Sequence, residues 1–328
     1  MAQMMRAIVV GSDGTASMGE AARPLPLEDE LLVRVHASGV NRADLLQKRG
    51  AYPPPPGASE ILGLEACGEV VEVGPACRAF ARGDRVMSLL PGGGYAEYVR
   101  VPEGMAMRIP AQLDYEQGAA IPEAFLTAYQ ALAWIARAKR GESVLIHAGA
   151  SGVGTAAIQL AREIGAVPFA TAGSDEKTDL CRELGAAAAF NYREGLFAPL
   201  VREANAGRGV EVIVDFVGRD HFEQNVDLLE TDGRLVFLAL LSGATVDRFD
   251  LSSLLRKRIA LTGSTLRARP QEYKVLLTQE FIEFALPKLA NGVLRPVVDT
   301  VYAAEAVENA HAYMDENRTR GKLVLRWD

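Results

Sequence analysis

The sequence contains little of what marks a secreted, disulfide-bonded or membrane-spanning protein. Its three cysteines, Cys67, Cys77 and Cys181, are an odd number without close pairing, which is typical of a reducing compartment where cysteine acts as a small buried apolar residue. The first residues show no apolar secretion signal. The longest apolar run, residues 235–241, is far shorter than the ~20 residues of a membrane span and predicts a buried strand. We therefore expect a cytoplasmic protein.

An excess of positive charge is also missing. The chain has 35 lysines and arginines against 42 aspartates and glutamates, which gives a formal net charge of −7. This balance argues against a general affinity for nucleic acids or anionic membranes. With 328 residues, of which 49% are hydrophobic, the chain is long enough for two ordinary domains with packed cores. We therefore expect neither a nucleic acid nor a membrane to be the main partner.

A glycine-rich turn is the clearest functional motif. The apolar run at residues 143–147 leads into Gly149-x-Ser151-x-x-Gly154, and helical spacing of apolar residues then continues to Gly165. This pattern predicts a strand, a tight turn and a helix, whose N-terminal amides attract a pyrophosphate. The fingerprint GxGxxG is met only in part, because Ser151 occupies its middle position. The alternative is a structural turn that binds no ligand.

The pattern of apolar runs predicts an α/β protein with two kinds of domain. Residues 5–121 contain short β runs separated by glycine and proline, which indicates an antiparallel, barrel-like domain. Strand and helix patterns alternate after Pro122, as in a doubly wound parallel sheet. The segment that closes the chain again resembles the first part. We predict a Rossmann domain at residues 124–266 inserted into a domain formed by residues 1–123 and 267–328.

The end of the second strand of that sheet favours NADPH over NADH. Enzymes that prefer NADH usually carry an acidic residue there, about 20 residues after the glycine turn, to bind the ribose hydroxyls. Here the strand ends in Ala172-Gly-Ser174, and Ser174 and Lys177 are suited to bind a 2′-phosphate. Asp175 and Glu176 lower the local positive field. The alternative is that Ser174 only caps the next helix and Lys177 is solvated.

No cluster of metal ligands and no hydrolytic motif is visible in the sequence. The histidines are scattered, and the cysteine spacing matches no zinc site. His147 follows a buried run, where a hydrogen-bonded core histidine is expected rather than a ligand. No Ser-His-Asp pattern and no Walker lysine is present. We therefore expect no metal site at any of the four histidines, which are His36, His147, His221 and His311.

Three polar residues of the first domain are candidates for the reaction site. Asn41, Asp44 and Tyr52 lie in polar or loop segments. Each also has a purely structural interpretation. Asn41 would cap a helix, Asp44 would lie in its first turn, and Tyr52 would pack on the four prolines that follow it. The sequence alone leaves both interpretations open.

Several motifs, in one order along the chain, resemble a known family. They are GVNRAD at residues 39–44, YPPPPGAS at 52–59, GLEACG at 63–68, GDRV at 83–86, LLPGGG at 89–94, GYAEY at 94–98, HAGASGVG at 147–154 and GKLVL at 321–325. The chain resembles the zinc-independent, zeta-crystallin-like quinone oxidoreductases of the medium-chain dehydrogenase/reductase superfamily. Within them it is most similar to the tumour-suppressor-inducible quinone oxidoreductase branch.

This resemblance implies a GroES-like catalytic domain around the inserted Rossmann domain, a homodimer, and hydride transfer from NADPH to a quinone. Asn41 and Leu64 stand where zinc alcohol dehydrogenases carry a cysteine and a histidine, which implies that zinc is absent. Tyr52 and Asn41 would face the reacting ring as catalytic residues. The cofactor would be bound by Ser151, Gly152, Val153, Gly173, Ser174, Lys177, Tyr192, Leu240, Ser264 and Leu266.

Two other functions are compatible with the same resemblance. Reduction of the C=C bond of 2-alkenals or enones uses the same cofactor and needs similar stabilisation of an oxyanion. A crystallin-like structural role or RNA binding belongs to another class of function. The net negative charge and the lack of a basic stripe count against RNA as the main partner.

Overall fold

The computed structural model describes residues 3–327, which form two compact units. The first unit comprises the residues up to Leu126 and those from Leu266 onward, and the second comprises Thr127–Thr265. The predicted α/β fold is confirmed, with a mainly antiparallel sheet in the first unit and a parallel sheet in the second. The limits that the sequence predicts for the Rossmann domain, residues 124 and 266, stay a prediction.

The first unit begins with a two-stranded ribbon and then builds its main sheet. Residues 16–22 are a strand that the sequence pattern does not predict, because ASMGEAA lacks β-branched residues. This segment pairs antiparallel with the strand before it along its whole length. The strands up to residue 108 are β1 (Met4–Val10), β2 (Ala16–Ala22), β3 (Glu30–Val40), β4 (Glu65–Val73), β5 (Arg85–Leu89), β6 (Tyr98–Pro102) and β7 (Ala106–Arg108).

Short helices accompany these strands and lead into the second unit. The last of these α-helices, Pro122–Tyr129, continues directly into a π-helix, Gln130–Ile135. A 3₁₀ turn, Glu103–Met105, precedes β7. The α-helices are α1 (Arg42–Lys48), α2 (Tyr115–Ala119) and α3 (Pro122–Tyr129).

The second unit is a doubly wound parallel sheet. Its strand order is β10-β9-β8-β11-β12-β13, which corresponds to 3-2-1-4-5-6 of the dinucleotide-binding fold. In that fold the ligand binds where the order reverses, at the carboxyl end of the first strand. The strands are β8 (Ser143–Ile146), β9 (Val167–Ala172), β10 (Ala188–Asn191), β11 (Val210–Asp215), β12 (Leu229–Phe237) and β13 (Ala260–Gly263).

The helices of this unit lie between its strands in the sequence, and one strand prediction needs correction. The apolar run at residues 235–241 is not one buried strand, because β12 ends at Phe237 and the side chains of Leu240 and Leu241 are 46% and 54% exposed. The chain turns after Phe237, so the run leaves the sheet. The helices are α4 (Gly152–Ile164), α5 (Asp175–Glu183), α6 (Phe197–Ala204), α7 (Arg219–Leu228) and α8 (Ser252–Lys257).

The chain then returns to the first unit and completes its main sheet. Helices α9 (Gln271–Ala290) and α10 (Val307–Asp315), strands β14 (Val298–Ala303) and β15 (Lys322–Arg326), and the 3₁₀ turn Ala304–Ala306 form this part. The sheet order is β14-β15-β3-β4-β5-β7, with β6 also paired to β3. Residues from both ends of the sequence therefore meet in neighbouring strands.

The burial of the cysteines agrees with what the composition predicts. Cys67, Cys77 and Cys181 are free and buried. Burial raises the pKa of the Cys67 thiol well above its ordinary value and that of Cys181 to about 12, so neither is a reactive thiolate at neutral pH. None of the helices between residues 3 and 327 combines the length and apolar character needed to cross a bilayer.

Candidate functional site

The glycine turn of the second unit lies at the carboxyl end of β8, as predicted. Ser151 caps α4, and its Oγ accepts a hydrogen bond of 3.0 Å from the Gly154 amide. A Cβ on Gly149 would lie 2.7 Å from Cys181 Sγ, and one on Gly154 would lie 2.7 Å from the Gly149 carbonyl oxygen. Both glycines are therefore required by close packing. The amides of Gly152 and Val153 begin the helix, where amides lack intrahelical partners and favour an anion.

A polar corner lies after β9, in the same unit. Ser174 caps α5 by accepting from the Lys177 amide at 3.4 Å, which is compatible with both interpretations of this residue. A cap of this kind leaves the Ser174 hydroxyl hydrogen able to donate to a further partner. A methyl group at Gly173 would lie 2.8 Å from the Tyr192 hydroxyl and 3.5 Å from Arg193 Nε. Arg193 thus adds a guanidinium to this corner that the sequence interpretation missed.

Three of the residues predicted to bind the cofactor, Leu240, Ser264 and Leu266, are divided between the units. Leu240 and Ser264 belong to the second unit and Leu266 to the first. Leu240 is 46% exposed, whereas Ser264 is buried and its amide donates to the Phe237 carbonyl at 2.9 Å. The Thr127 hydroxyl in the second unit is buried and has no hydrogen-bond partner among the described residues. Such a group is available to a ligand.

The prediction that the histidines are scattered is wrong for two of them. The Nδ1 atoms of His147 and His221 lie 3.2 Å apart, because β8 and the start of α7 meet beside β11. His147 is a hydrogen-bonded core histidine, as predicted: its Nδ1 contacts Thr171 Oγ1 and its Nε2 contacts Asn225 Oδ1, both at 2.7 Å. Because these two histidines are 74 positions apart in the sequence, their contact could not be predicted from spacing and depends on the fold of the second unit.

Asp215 completes a buried group with these histidines that has the composition of a metal site. Asp215 already accepts from the Val217 amide at 2.7 Å, and its other oxygen accepts from Asn225 Nδ2 at 3.2 Å. Both nitrogens of His147 also have protein partners. Hydrogen bonding therefore satisfies the Asp215 carboxylate and both ring nitrogens of His147 without a cation.

This histidine pair predicts a loss of stability in acid. Burial lowers the pKa of both His147 and His221 to about 4, so the unfolded chain binds protons more readily than the folded one. Their contribution is complete above about pH 6.5 and is lost as the pH falls toward about 4, at about 1.4 kcal/mol per unit of pKa difference. We expect His221→Phe to lose less stability than the wild type over this interval, as measured by urea unfolding at each pH. Equal losses in the two proteins would contradict this assignment.

A buried ion pair forms the centre of the first unit's polar site. Glu65 on β4 and Lys322 on β15 are 0% and 4% exposed, and the Lys322 ammonium contacts Glu65 Oε1. Asn41 joins them, since its Nδ2 donates to Glu65 Oε1 at 2.9 Å and its Oδ1 accepts from Lys322 Nζ at 2.7 Å. The Asn41 side chain is therefore part of this pair, and its predicted catalytic role stays a proposal.

Asp44 holds the start of α1 in place. Its Oδ2 accepts from the Asn41 amide at 2.8 Å and from the Tyr95 hydroxyl at 3.0 Å, and its Oδ1 accepts from the Gly63 amide at 3.1 Å. Burial raises the pKa of Asp44 to about 6, against the effect of these hydrogen bonds. The structural interpretation of Asn41 and Asp44, as N-cap and first-turn residue of α1, is confirmed.

Tyr52 lies beside Arg267 in the first unit. The Arg267 guanidinium is 5.3 Å from the centroid of the Tyr52 ring, and its Nη1 donates to the Tyr52 carbonyl at 3.3 Å. Arg267 also donates to the Pro91 carbonyl at 2.8 Å and to Gln47 Oε1 at 2.7 Å. It therefore ties the proline-rich loop to the loop before α9. Burial raises the pKa of Tyr52, and the nearby Glu123 carboxylate adds to this.

Comparison with known proteins agrees with this architecture. Residues 27–111 match the family described as alcohol dehydrogenase GroES-like domain, and residues 152–282 match the one described as zinc-binding dehydrogenase. A quinone oxidoreductase of Lama guanicoe is 32% identical to this chain over 98% of each protein. The quinone oxidoreductase of Homo sapiens is 31% identical over the same shares.

Two solved structures share the whole fold. A mycobacterial protein solved in complex with NADPH has a TM-score of 0.86 and 30% identity, covering 98% of this chain and 100% of its own. An NAD-dependent alcohol dehydrogenase has a TM-score of 0.86 and 29% identity, covering 99% and 100%. The fold, the glycine turn and these relatives define an NAD(P)-dependent oxidoreductase of the medium-chain dehydrogenase/reductase superfamily. Within it, the chain belongs to the zeta-crystallin-like quinone oxidoreductase family.

Proposed function

We propose that the protein reduces quinones with NADPH and without a metal ion. The observation that carries this proposal is the chemistry of the two first-unit residues that stand where zinc ligands would be expected. Leu64 is apolar and 1% exposed, and the Asn41 amide is bonded to both Glu65 and Lys322. A hydrocarbon side chain and an amide held by an ammonium group do not suit zinc, which takes thiolate, imidazole and carboxylate ligands. Without such a Lewis acid, an acceptor that takes up hydride readily, such as a quinone, is favoured over an alcohol.

NADPH is the proposed cofactor, because the second unit offers groups suited to both its pyrophosphate and its 2′-phosphate. The amides of Gly152 and Val153, with Ser151, would hold the pyrophosphate at the N-terminus of α4. The hydroxyl groups of Ser174 and Tyr192 and the cations of Lys177 and Arg193 would hold the 2′-phosphate. When bound, NADPH supplies a hydride from C4 of its nicotinamide. Leu240, Ser264 and Leu266 are proposed to contact that ring.

The protein's own groups would orient the acceptor. Tyr52 carries a hydroxyl on a loop that Arg267 fixes, and we propose that it donates a hydrogen bond to the oxygen on which negative charge develops. Asn41 is proposed to act from within the Glu65–Lys322 pair, by fixing the start of α1. A homodimer and a cytoplasmic location, both expected from the sequence, complete the proposal.

Steady-state oxidation of NADPH tests this function. We expect turnover with ortho- or para-quinones that exceeds turnover with 2-alkenals by at least about 10-fold, which corresponds to about 1.4 kcal/mol of transition-state discrimination. Enzyme treated with a chelator should keep its full rate. Inactivity with every quinone tested would overturn the proposal, and a higher rate with alkenals would favour reduction of C=C bonds instead.

A further inference from the structure

Glu123 carries a buried oxygen that the interactions described so far leave unexplained. It lies in the first turn of α3, and its backbone amide donates to Glu65 Oε2 at 2.7 Å. Its own Oε2 is inaccessible to solvent and has no hydrogen-bond partner within the part of the chain that the structure describes. A buried polar atom without a partner costs about 1–3 kcal/mol. Such an atom in a native protein needs an explanation, and one explanation is that it binds a ligand or carries a proton.

The charges around Glu123 favour its neutral, protonated form. Burial raises its pKa to about 8, and the carboxylates of Glu65 and Asp44 add to this effect, while Lys322 and Arg267 oppose it. The Lys322 ammonium is already bound to Glu65, Asn41 and the Val40 carbonyl. The titratable groups that act on Glu123 are Glu65 on β4, Lys322 on β15, Asp44 on α1, Tyr52 after α1, Arg267 before α9 and Lys274 on α9.

We propose that the Glu123 carboxyl group donates the proton that completes quinone reduction. This inference rests on the proposed function. Hydride addition delivers two electrons and one hydrogen to the quinone, converts NADPH to NADP⁺, and leaves a hydroquinone monoanion. The O–H bond of Glu123 then breaks, and an O–H bond forms at the phenolate oxygen of the product. The resulting carboxylate regains its proton from bulk water, which reaches other atoms of Glu123 because the residue as a whole is only partly buried.

The neighbouring groups are less suited to this step. Burial raises the pKa of Tyr52 above its ordinary value near 10, so its hydroxyl is a weak acid at neutral pH. The carboxylate of Asp44 is fully buried and already accepts three hydrogen bonds. The Lys274 ammonium is buried and donates to the Arg267 carbonyl at 3.3 Å. Glu123 combines an acidic proton near neutral pH with an unpartnered oxygen.

Replacement of Glu123 by glutamine tests the step through its pH dependence. In the wild type we expect kcat for quinones to fall as the pH rises through about 8, because the carboxyl group loses its proton. Glu123→Gln should lower kcat by about 100-fold, the lower end of the range for general acids, and should abolish the alkaline fall. Glu123→Asp should keep both the fall and part of the rate. Glu283→Gln, which alters an exposed glutamate of α9, is the matched control.

A second measurement does not depend on turnover. Infrared difference spectra of the wild type and the Glu283→Gln control between neutral and alkaline pH should show a protonated carboxyl band that disappears through about pH 8 and is missing in Glu123→Gln. NADPH binding, followed by fluorescence, should be within about 2-fold of wild type in all variants.

The outcomes separate this inference from the function on which it rests. If the wild type reduces quinones but Glu123→Gln retains both its kcat and its alkaline fall, the proton-donor role is overturned and the function stands. The same holds if no such carboxyl band titrates in the wild type. A wild type that reduces no quinone would overturn both proposals.

Discussion

Replacement of Lys322 by methionine is expected to lower the free energy of unfolding by about 3–5 kcal/mol, the typical cost of removing one partner of a buried ion pair. Methionine matches the length of the lysine stem but leaves the Glu65 carboxylate, which is 0% exposed, without its cation. The Asn41 amide and the Val40 carbonyl lose the same donor. Urea unfolding followed by tryptophan fluorescence would measure the effect, since Trp327 is buried in the first unit and donates to Ser38 Oγ at 3.0 Å.

An exposed ion pair of the same unit provides the control. Arg49 and Asp315 are 53% and 44% exposed, so Arg49→Met should cost about 0–1 kcal/mol. The double replacement Glu65→Gln with Lys322→Met should recover part of the loss, because it removes the uncompensated carboxylate. A single Lys322→Met variant as stable as Arg49→Met would show that the buried pair contributes no stability.

Replacement of Lys177 by alanine is expected to weaken NADPH binding by about 10- to 100-fold, since charged hydrogen bonds contribute about 1.5–3 kcal/mol. NADH lacks the 2′-phosphate and should lose less than about 2-fold. Isothermal titration with the two dinucleotides would measure the difference. Arg193→Ala should show the same selectivity, because the Arg193 guanidinium lies at the same Gly173 corner.

The exposed Lys139 of the second unit is the matched control for this experiment. Lys139→Ala carries the same change of net charge, so it should leave both affinities unchanged if the effect of Lys177 is local. If Lys177→Ala weakened the binding of NADPH and NADH equally, the assignment of the polar corner after β9 to the 2′-phosphate would be refuted. In that case Ser174 and Lys177 would serve only the N-terminus of α5.

The sequence predicts the second unit well because its signals are local. Each parallel strand is a short apolar run, and the glycine turn follows β8 directly, so position in the chain and position in the fold agree. Ser174 follows β9 closely in the sequence, so its position at the start of α5 is predictable in the same way. In the first unit, β2 escapes prediction because its stability comes from pairing with β1 rather than from its own residues.

The site groups that sequence reasoning misses are those assembled from distant segments. His147 and His221 are far apart in the chain, and nothing near either of them indicates the other. Glu123 looks like an ordinary first-turn acid of a helix, but burial and the Glu65 carboxylate of β4 raise its pKa. Residue spacing in the sequence identifies neither group, because their chemistry depends on burial and on neighbours that belong to other strands and helices.

The place of β15 between β14 and β3 has a consequence for how the chain is made. All residues of the second unit leave the ribosome before β15 does, and domains fold as units during synthesis. The second unit can therefore finish folding while the sheet of the first still lacks an inner strand. Until Lys322 emerges, Glu65 has no ammonium partner and residues 37–40 of β3 lack their neighbouring strand, so the sheet of the first unit is completed only after the second unit has been synthesised.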